Sequence, residues 1–477
     1  MTSGKPSYDA VVVGAGPNGL AAAAYMARAG FSVVVLEAAA TPGGGARSAE
    51  LTLPGVTHDI CSAVHPLTVG SPFLQKLALE SYGLRWIYPD VTAAHPLDGG
   101  DAAALYGTVP QTAELLGSDS GAYKRLIEPL AVAWEKLSHD LLAPPRIPKH
   151  PLLMARFARH GLQSARRLCD RNFQSAHARA LFAGMAAHSM LPLEQAPSAA
   201  VGLVLTLAGH AVGWPIPQGG AQSITTALTA YVKDHDATIL TDMPVNRLSD
   251  LPRARVALFD ITPRQLLTIA GDALPSRYRR RLEAFRYGPG VFKIDWALDR
   301  PIPWTSDWCR RAGTVHVGGT FDEIAASEAA VTRGKHPEEP FVLVAQPTVQ
   351  DPSRAPAGSH IGWAYCHVPN GSTVDMTEAI ERQVERFAPG FRDTILARHT
   401  LNTAGLEAYN ANYVGGDING GIQDFRQLLA RPVLQWNPYA TGQPGVYLCS
   451  SSTPPGGGVH GMCGYHAARA ALADCLS

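Results

Sequence analysis

The chain has 477 residues and a mass of 50.7 kDa, two or three times an ordinary domain, so two closely built domains are expected. At 46% hydrophobic and 17% charged residues it can bury a large core, which excludes a disordered chain. Forty basic residues against forty acidic ones leave no net charge, which excludes the basic excess of a nucleic-acid binder. Seven cysteines without a CxxC pair argue against a disulfide scaffold or zinc site and for a reducing compartment; no metal site is expected. Met1 to Ser7 is short and polar, unlike a signal peptide, and no run of about 20 apolar residues suits a membrane span. A cytoplasmic protein is expected.

The first element is an apolar strand, Ala10 to Val13, ending at Gly14-Ala15-Gly16-Pro17-Asn18-Gly19. An alanine-rich helix over Leu20 to Ala29 and a second strand, Phe31 to Leu36, follow, closing on Glu37. Gly14 suits the sharp turn, Gly16 the approach of a pyrophosphate, and Gly19 the packing of helix on strand. Pro17 fits a first helical turn, whose N–H has no helical partner. The positive helix end would hold phosphate beside Asn18, and Glu37 would accept from ribose hydroxyls. NAD and FAD domains share this unit, so the nucleotide stays open at this point.

Next come Pro42-Gly43-Gly44-Gly45-Ala46-Arg47-Ser48. This segment resembles the glycine doublet and arginine of the phytoene desaturase-like and flavin amine oxidase superfamily of FAD-dependent oxidoreductases. The resemblance implies that Gly43, Gly44 and Gly45 pass close to the flavin and that Arg47 neutralises phosphate. In the middle, Trp214-Pro215-Ile216-Pro217-Gln218-Gly219-Gly220 is similar to the step returning the chain to the FAD domain, with Val245 near the adenine. Near the end, a strand (Val446 to Cys449) feeds a glycine loop, Gly456-Gly457-Gly458-Val459-His460-Gly461, and a helix from about Met462 to Leu476. By the same resemblance Gly457, Gly458, Val459 and His460 face the flavin from that helix terminus. Val459 stands where an amine oxidase would carry an aromatic cage residue. No cysteine occurs between Asn410 and Leu448, where some amine oxidases attach flavin, so the cofactor implied is non-covalent FAD.

The implied fold is α/β, a Rossmann-type FAD-binding domain (GR2-like) with an interleaved α+β substrate domain containing a mixed sheet. Expected boundaries are 1–69, 216–264 and 431–477 for the FAD domain, and 70–215 and 265–430 for the substrate domain, helices first and then the sheet.

Flavin oxidation moves a hydride to N5 and needs a proton acceptor. The strand Gly290 to Leu298 alternates, with Lys293 and Asp295 on one face. Buried charges there must be paired, and the resemblance brings Lys293 near N5. His65 and His460 are the candidate proton acceptors, their ordinary pKa lying near neutrality. Trp214 precedes the Pro-x-Gly-Gly step, and Trp363, Tyr365 and His367 share one face of a strand; these are the expected substrate-cavity residues.

From Arg146 to Arg171 seven basic residues face one acid, interleaved with Leu152, Leu153, Met154, Phe157, Leu162 and Leu168. Such a segment suits a peripheral contact with an anionic bilayer. The expected activity is removal of hydride and proton from a mostly apolar, lipophilic small molecule, with oxygen or a quinone as electron acceptor. The alternatives are a flavin-dependent isomerase or saturase, an amine oxidase, and a non-catalytic prenyl carrier of the GDP-dissociation-inhibitor type. The oligomeric state is left open.

Overall fold

The computed structural model describes residues 7–475; the polar stretch before Ser7, on which the absence of a signal peptide was judged, and Leu476 lie outside them. The strands of the two large sheets are, in chain order, β1 (Ser7–Val13), β2 (Val33–Leu36), β3 (Val91–Pro96), β4 (Ala102–Leu105), β5 (Thr238–Leu240), β6 (Arg253–Phe259), β7 (Gly290–Leu298), β8 (Ala312–Val317), β9 (Val342–Ala345), β10 (His360–Val368), β11 (Ile395–Leu401) and β12 (Val446–Leu448).

The first sheet runs β12-β6-β1-β2-β5 and every pairing in it is parallel. Parallel strands need crossovers and are covered on both faces, so β2 and the carboxyl-terminal ends of β1 and β6 read as unbroken apolar runs and are buried. Helix α1 (Pro17–Arg28) begins at Pro17, earlier than the alanine pattern suggested, with Gly16 as its N-cap. The last helix of the chain (Met462–Cys475) packs on α1 through alanines: Ala21 to Ala24 share a core with Ala467, Ala468 and Ala471. Small side chains let the helices approach so closely that a Cβ on Gly464 would stand on the Asn18 carbonyl oxygen. The two ends of the chain are thus one packed layer.

The second sheet runs β11-β7-β10-β9-β8-β3-β4, antiparallel except where β8 meets β3. One face buries Phe292, Ile294, Trp296 and Leu298 with Val315, Val344 and Ala364. Lys293 pairs with Tyr365, and Asp295 with Trp363, on the opposite face. The order of helices first and sheet second is corrected here. Strands β3 and β4 precede the helices and form one edge of the sheet, and the reading missed them because VTAAHP and AAAL lack β-branched alternation. The helices that follow, among them Ala176–Ala187 and Ser198–Ala211, build a separate alanine- and leucine-rich core with β4.

Over 146–171 the chain forms two short helices, Pro151–Gly161 and Ala165–Asn172. Phe157 and Leu168 are buried, and Leu153 and Met154 pack on the helical core. Leu152 and Leu162 remain exposed. Among the described residues no helix is long and apolar enough to cross a membrane, and no group of histidine, cysteine and carboxylate side chains could hold a metal ion.

Candidate active site

At the carboxyl end of β1 the chain turns through Gly14, whose φ of +98° is the left-handed region glycine adopts at no cost. The turn delivers α1 amino-end first, a ready anion site. Glu37 closes it from the end of β2: its two carboxylate oxygens accept from Ala15 N–H at 2.6 Å and Ala39 N–H at 2.9 Å. A second carboxylate, Asp260, stands one residue past β6 and accepts from Gly19 N–H at 2.9 Å. Burial pushes its pKa up to about 7, with the nearby charge of Glu37 adding to the rise.

A cavity of about 270 Å³ opens from this point and is lined by Gly16, Pro17, Asn18, Gly44, Gly45 and Asp260. The same cavity is lined by Ser450, Ser451, Ser452, Gly458 and Val459 from the C-terminal loop. That loop is held by the segment after His65: Thr68 donates to the Val459 carbonyl and Ser71 to the His460 carbonyl. The opposite wall is apolar and aromatic, with Leu205, Trp214, Leu343, Trp363 and Tyr365. The Asn18 Oδ1 is buried with no protein partner. A Cβ on Gly16 would approach Asp260 Oδ2 to 2.8 Å, so the surface in front of α1 tolerates only bare backbone. These features fit a nucleotide pyrophosphate at α1, a ribose at Glu37 and a planar ring between the two glycine loops.

Of the four candidates for chemistry, His65 lines the cavity and neither of its ring nitrogens has a protein hydrogen-bond partner. Burial pulls its pKa down to about 4; Asp59 raises it and Arg354 lowers it further. Those two form a fully buried ion pair at 2.7 Å. His460 is placed differently. Its Nδ1 accepts from Met462 N–H at 3.0 Å and its Nε2 meets the Gly456 carbonyl at 3.2 Å, so its ring holds the loop together. Lys293 and Asp295 are bonded to each other and lie outside the cavity lining. The Lys293 ammonium sits 5.7 Å from the Trp363 ring centroid. Asp295 faces His58 and His399 as well, and Lys293 and these histidines hold its carboxyl well below the usual carboxylate range despite burial.

The remaining expected residues divide between cavity and frame. Gly14, Gly19 and Glu37 shape the turn behind the lining. Gly43 donates its N–H to the Ala15 carbonyl at 2.9 Å. Arg47 donates to the carbonyls of Gly44 and Tyr409 and covers the Tyr409 ring at 4.4 Å, so its guanidinium braces the glycine loop. Val245 packs on the core beneath the parallel sheet, and Gly457 abuts Asn419. His367 contacts both oxygens of buried Glu328 at 2.9 Å and is a neighbour of Tyr365 rather than part of the wall. The sequence reading passed over Asp260, His188, Thr314 and Tyr413, all of which line the cavity. Asp260 carried a usable signal, because ligands of parallel sheets sit at the carboxyl ends of the strands.

A family model described as an NAD(P)-binding Rossmann-like domain matches residues 12–77. The chain is 25% identical to the rat protein named pyridine nucleotide-disulfide oxidoreductase domain-containing protein 2, over 98% of this chain and 94% of that one. It is 26% identical to a phytoene dehydrogenase of Streptomyces griseus, over 82% and 78% of the two chains. Among solved structures it matches an oxidoreductase from Methanosarcina mazei with a TM-score of 0.65 at 16% identity, covering 98% and 100%. A putrescine oxidase matches with a TM-score of 0.63 at 17% identity, covering 98% and 99%. The structural matches speak for the fold. Together the comparisons bear out the α/β Rossmann-type fold, the resemblance to phytoene desaturase-like and flavin amine oxidase proteins, and an oxidoreductase as the kind of protein this is.

Proposed function

We propose, for a chain similar over nearly its whole length to oxidoreductases of the phytoene desaturase-like kind, that it binds FAD non-covalently and removes a hydride and a proton from a mostly apolar small molecule. One observation carries the reading: a single cavity joins the amino-terminal glycine turn, the carboxyl-terminal glycine loop, an aromatic wall and a histidine with both ring nitrogens unpaired. The bound flavin supplies a hydride acceptor at its N5. The backbone at Gly16 to Gly19 and the Asn18 side chain hold the pyrophosphate, and Glu37 takes the ribose. Asp260, half protonated at neutral pH with a pKa of about 7, can donate to phosphate without adding a full negative charge beside it. Trp363, Tyr365 and Leu343 hold the substrate and exclude water. As the substrate gives up its hydride, His65 takes the proton from the adjacent carbon at a ring nitrogen, leaving a double bond. With its pKa pulled down to about 4 by burial its imidazole is unprotonated at neutral pH, and the charge of nearby Asp59, which raises that pKa, would favour the protonated form.

Oxygen or a quinone would then receive the electrons. A bilayer contact through 146–171 would rest on its basic residues, with Ile147, Leu152 and Leu162 the exposed apolar side chains to enter lipid. The test is the visible spectrum of purified protein given FAD, followed by anaerobic exposure to apolar candidates. An oxidase or dehydrogenase bleaches the flavin, an isomerase or saturase turns over without net bleaching, and a lipid carrier stays colourless. His65→Phe should keep the flavin and slow its reduction about 10²- to 10⁴-fold, the usual worth of a positioned base; unchanged reduction removes His65 from the chemistry.

A further inference from the structure

One stretch of the cavity wall has no part in that chemistry, yet it is polar. His188, just past the helix Ala176–Ala187, and Thr314 of β8 both line the cavity beside Trp214 and Leu343. Thr314 and His316 are two apart on β8 and so share a face. Thr314 is registered with Ala345 and His316 with Leu343; those residues pair with Trp363 and Tyr365 respectively. Both β8 side chains therefore stand on the cavity side of the sheet.

His188 Nε2 lies 2.9 Å from His316 Nε2, and a bond between two ring nitrogens needs one donor and one acceptor. His316 Nδ1 is buried without a partner, packed against Gly184. A proton there would be a buried, unpaired N–H, the rarest kind of orphan. The proton of His316 therefore belongs on Nε2, donating to His188 Nε2, and that of His188 on Nδ1. Burial keeps both rings neutral, pulling His188 down to about 3 and His316 well below its ordinary range. Thr314 Oγ1 is likewise buried with no protein partner, whereas Trp214 spends its N–H on the Leu205 carbonyl at 3.2 Å. The wall thus offers a neutral N–H and a hydroxyl. A hydrocarbon would leave both unpaired. The one carboxylate lining the cavity among the described residues, Asp260, belongs to the α1 end and accepts from Gly19 N–H, and Glu328 meets His367 with both oxygens.

We infer that His188 and Thr314 form a recognition site for an uncharged oxygen, a carbonyl or hydroxyl, on an otherwise apolar substrate. This rests on the cavity being the substrate site of the oxidoreductase proposed above, and it narrows the substrate class to oxygenated apolar molecules.

The test uses FAD-treated protein and four probes of equal chain size: methyl octyl ketone, decanol, undecane and decylammonium. Binding is read from quenching of tryptophan fluorescence, Trp214 and Trp363 being in the wall, and needs no turnover. Measured against each probe's own partition from water into hydrocarbon, the ketone and alcohol should bind about tenfold more tightly than undecane, the worth of one satisfied buried hydrogen bond, and decylammonium no more tightly than undecane. His188→Phe should erase that preference and Thr314→Val reduce it, with the flavin spectrum unchanged. Equal binding of ketone and undecane by the wild type, or a preference surviving both substitutions, overturns the inference. If His188→Phe does not fold, the wild-type series and Thr314→Val decide it. Wild-type protein that refuses FAD defeats the oxidoreductase reading, whereas yellow protein indifferent to the ketone oxygen defeats only this one.

Discussion

Gly16→Val isolates cofactor binding from folding. Gly16 has φ −72° and ψ 175°, a conformation open to any residue, so the substitution brings no backbone strain. The clash lies elsewhere: a Cβ would stand 2.8 Å from Asp260 Oδ2 and 3.8 Å from the Gly44 Cα. The carboxyl must move, loosening its 2.9 Å bond from Gly19 N–H, at a cost of about 1–3 kcal/mol. In a chain this long that lowers the melting temperature by only a few degrees. The valine methyls meanwhile fill the space in front of α1 and separate its N–H groups from phosphate. Losing two charge-assisted hydrogen bonds at about 1.5–3 kcal/mol each weakens FAD about 10²- to 10⁴-fold. Titration of FAD by quenching of its fluorescence, with a thermal melt on the same sample, separates the two effects. A folded, yellow variant holding stoichiometric FAD would refute the placement of the pyrophosphate.

Two further outcomes are expected. Lys293→Met leaves Asp295 buried with only His58 and His399 nearby, costing about 3–5 kcal/mol; a thermal melt should show that loss while rapid-mixing kinetics of flavin reduction stay near wild type, since the pair lies outside the cavity lining, and slowed reduction with the cofactor retained would return Lys293 to the chemistry. Acid should destabilise the protein well before its carboxylates titrate. His65, His95 and His460 are pulled down to about 4 and His188 to about 3, all by burial. The unfolded chain therefore binds more protons than the folded one between about pH 6.5 and 4, and stability falls as pH falls through that window, by about 3 kcal/mol for each histidine. Asp260, raised to about 7, and Asp417, also raised by burial, work in the opposite sense below neutrality but are two groups against four. Urea unfolding that gives the same stability at pH 7 and pH 5 would show that these rings are solvated.

What could be read beforehand depended on how far apart the partners lie along the chain. The turn from Gly14 to Gly19, the acid at Glu37 and the alternation that sets Lys293 and Asp295 on one face are set by neighbours a few residues away, so periodicity and spacing disclose them. Strands β3 and β4 were hidden by alanine, which carries little β preference; they form because β8 presents a parallel edge more than 200 residues later. The same holds for charge. Nothing near Asp59 announces Arg354, nor does anything near His188 announce His316, yet the fold brings each pair together.

This difference of range explains why His65 and His460 looked alike in the sequence. Each follows a small-residue loop, and each is buried with a pKa pulled down to about 4. The contacts separate them: the Gly456 carbonyl and Met462 N–H occupy both nitrogens of His460, while Asp59 and Arg354 near His65 bond to each other and leave its ring free. A histidine whose nitrogens are already engaged must break a loop contact to move a proton. One with free nitrogens and a cavity in front of it need only turn. On the proposed reading the proton goes to His65 because the rest of the fold leaves its two ring nitrogens without a partner.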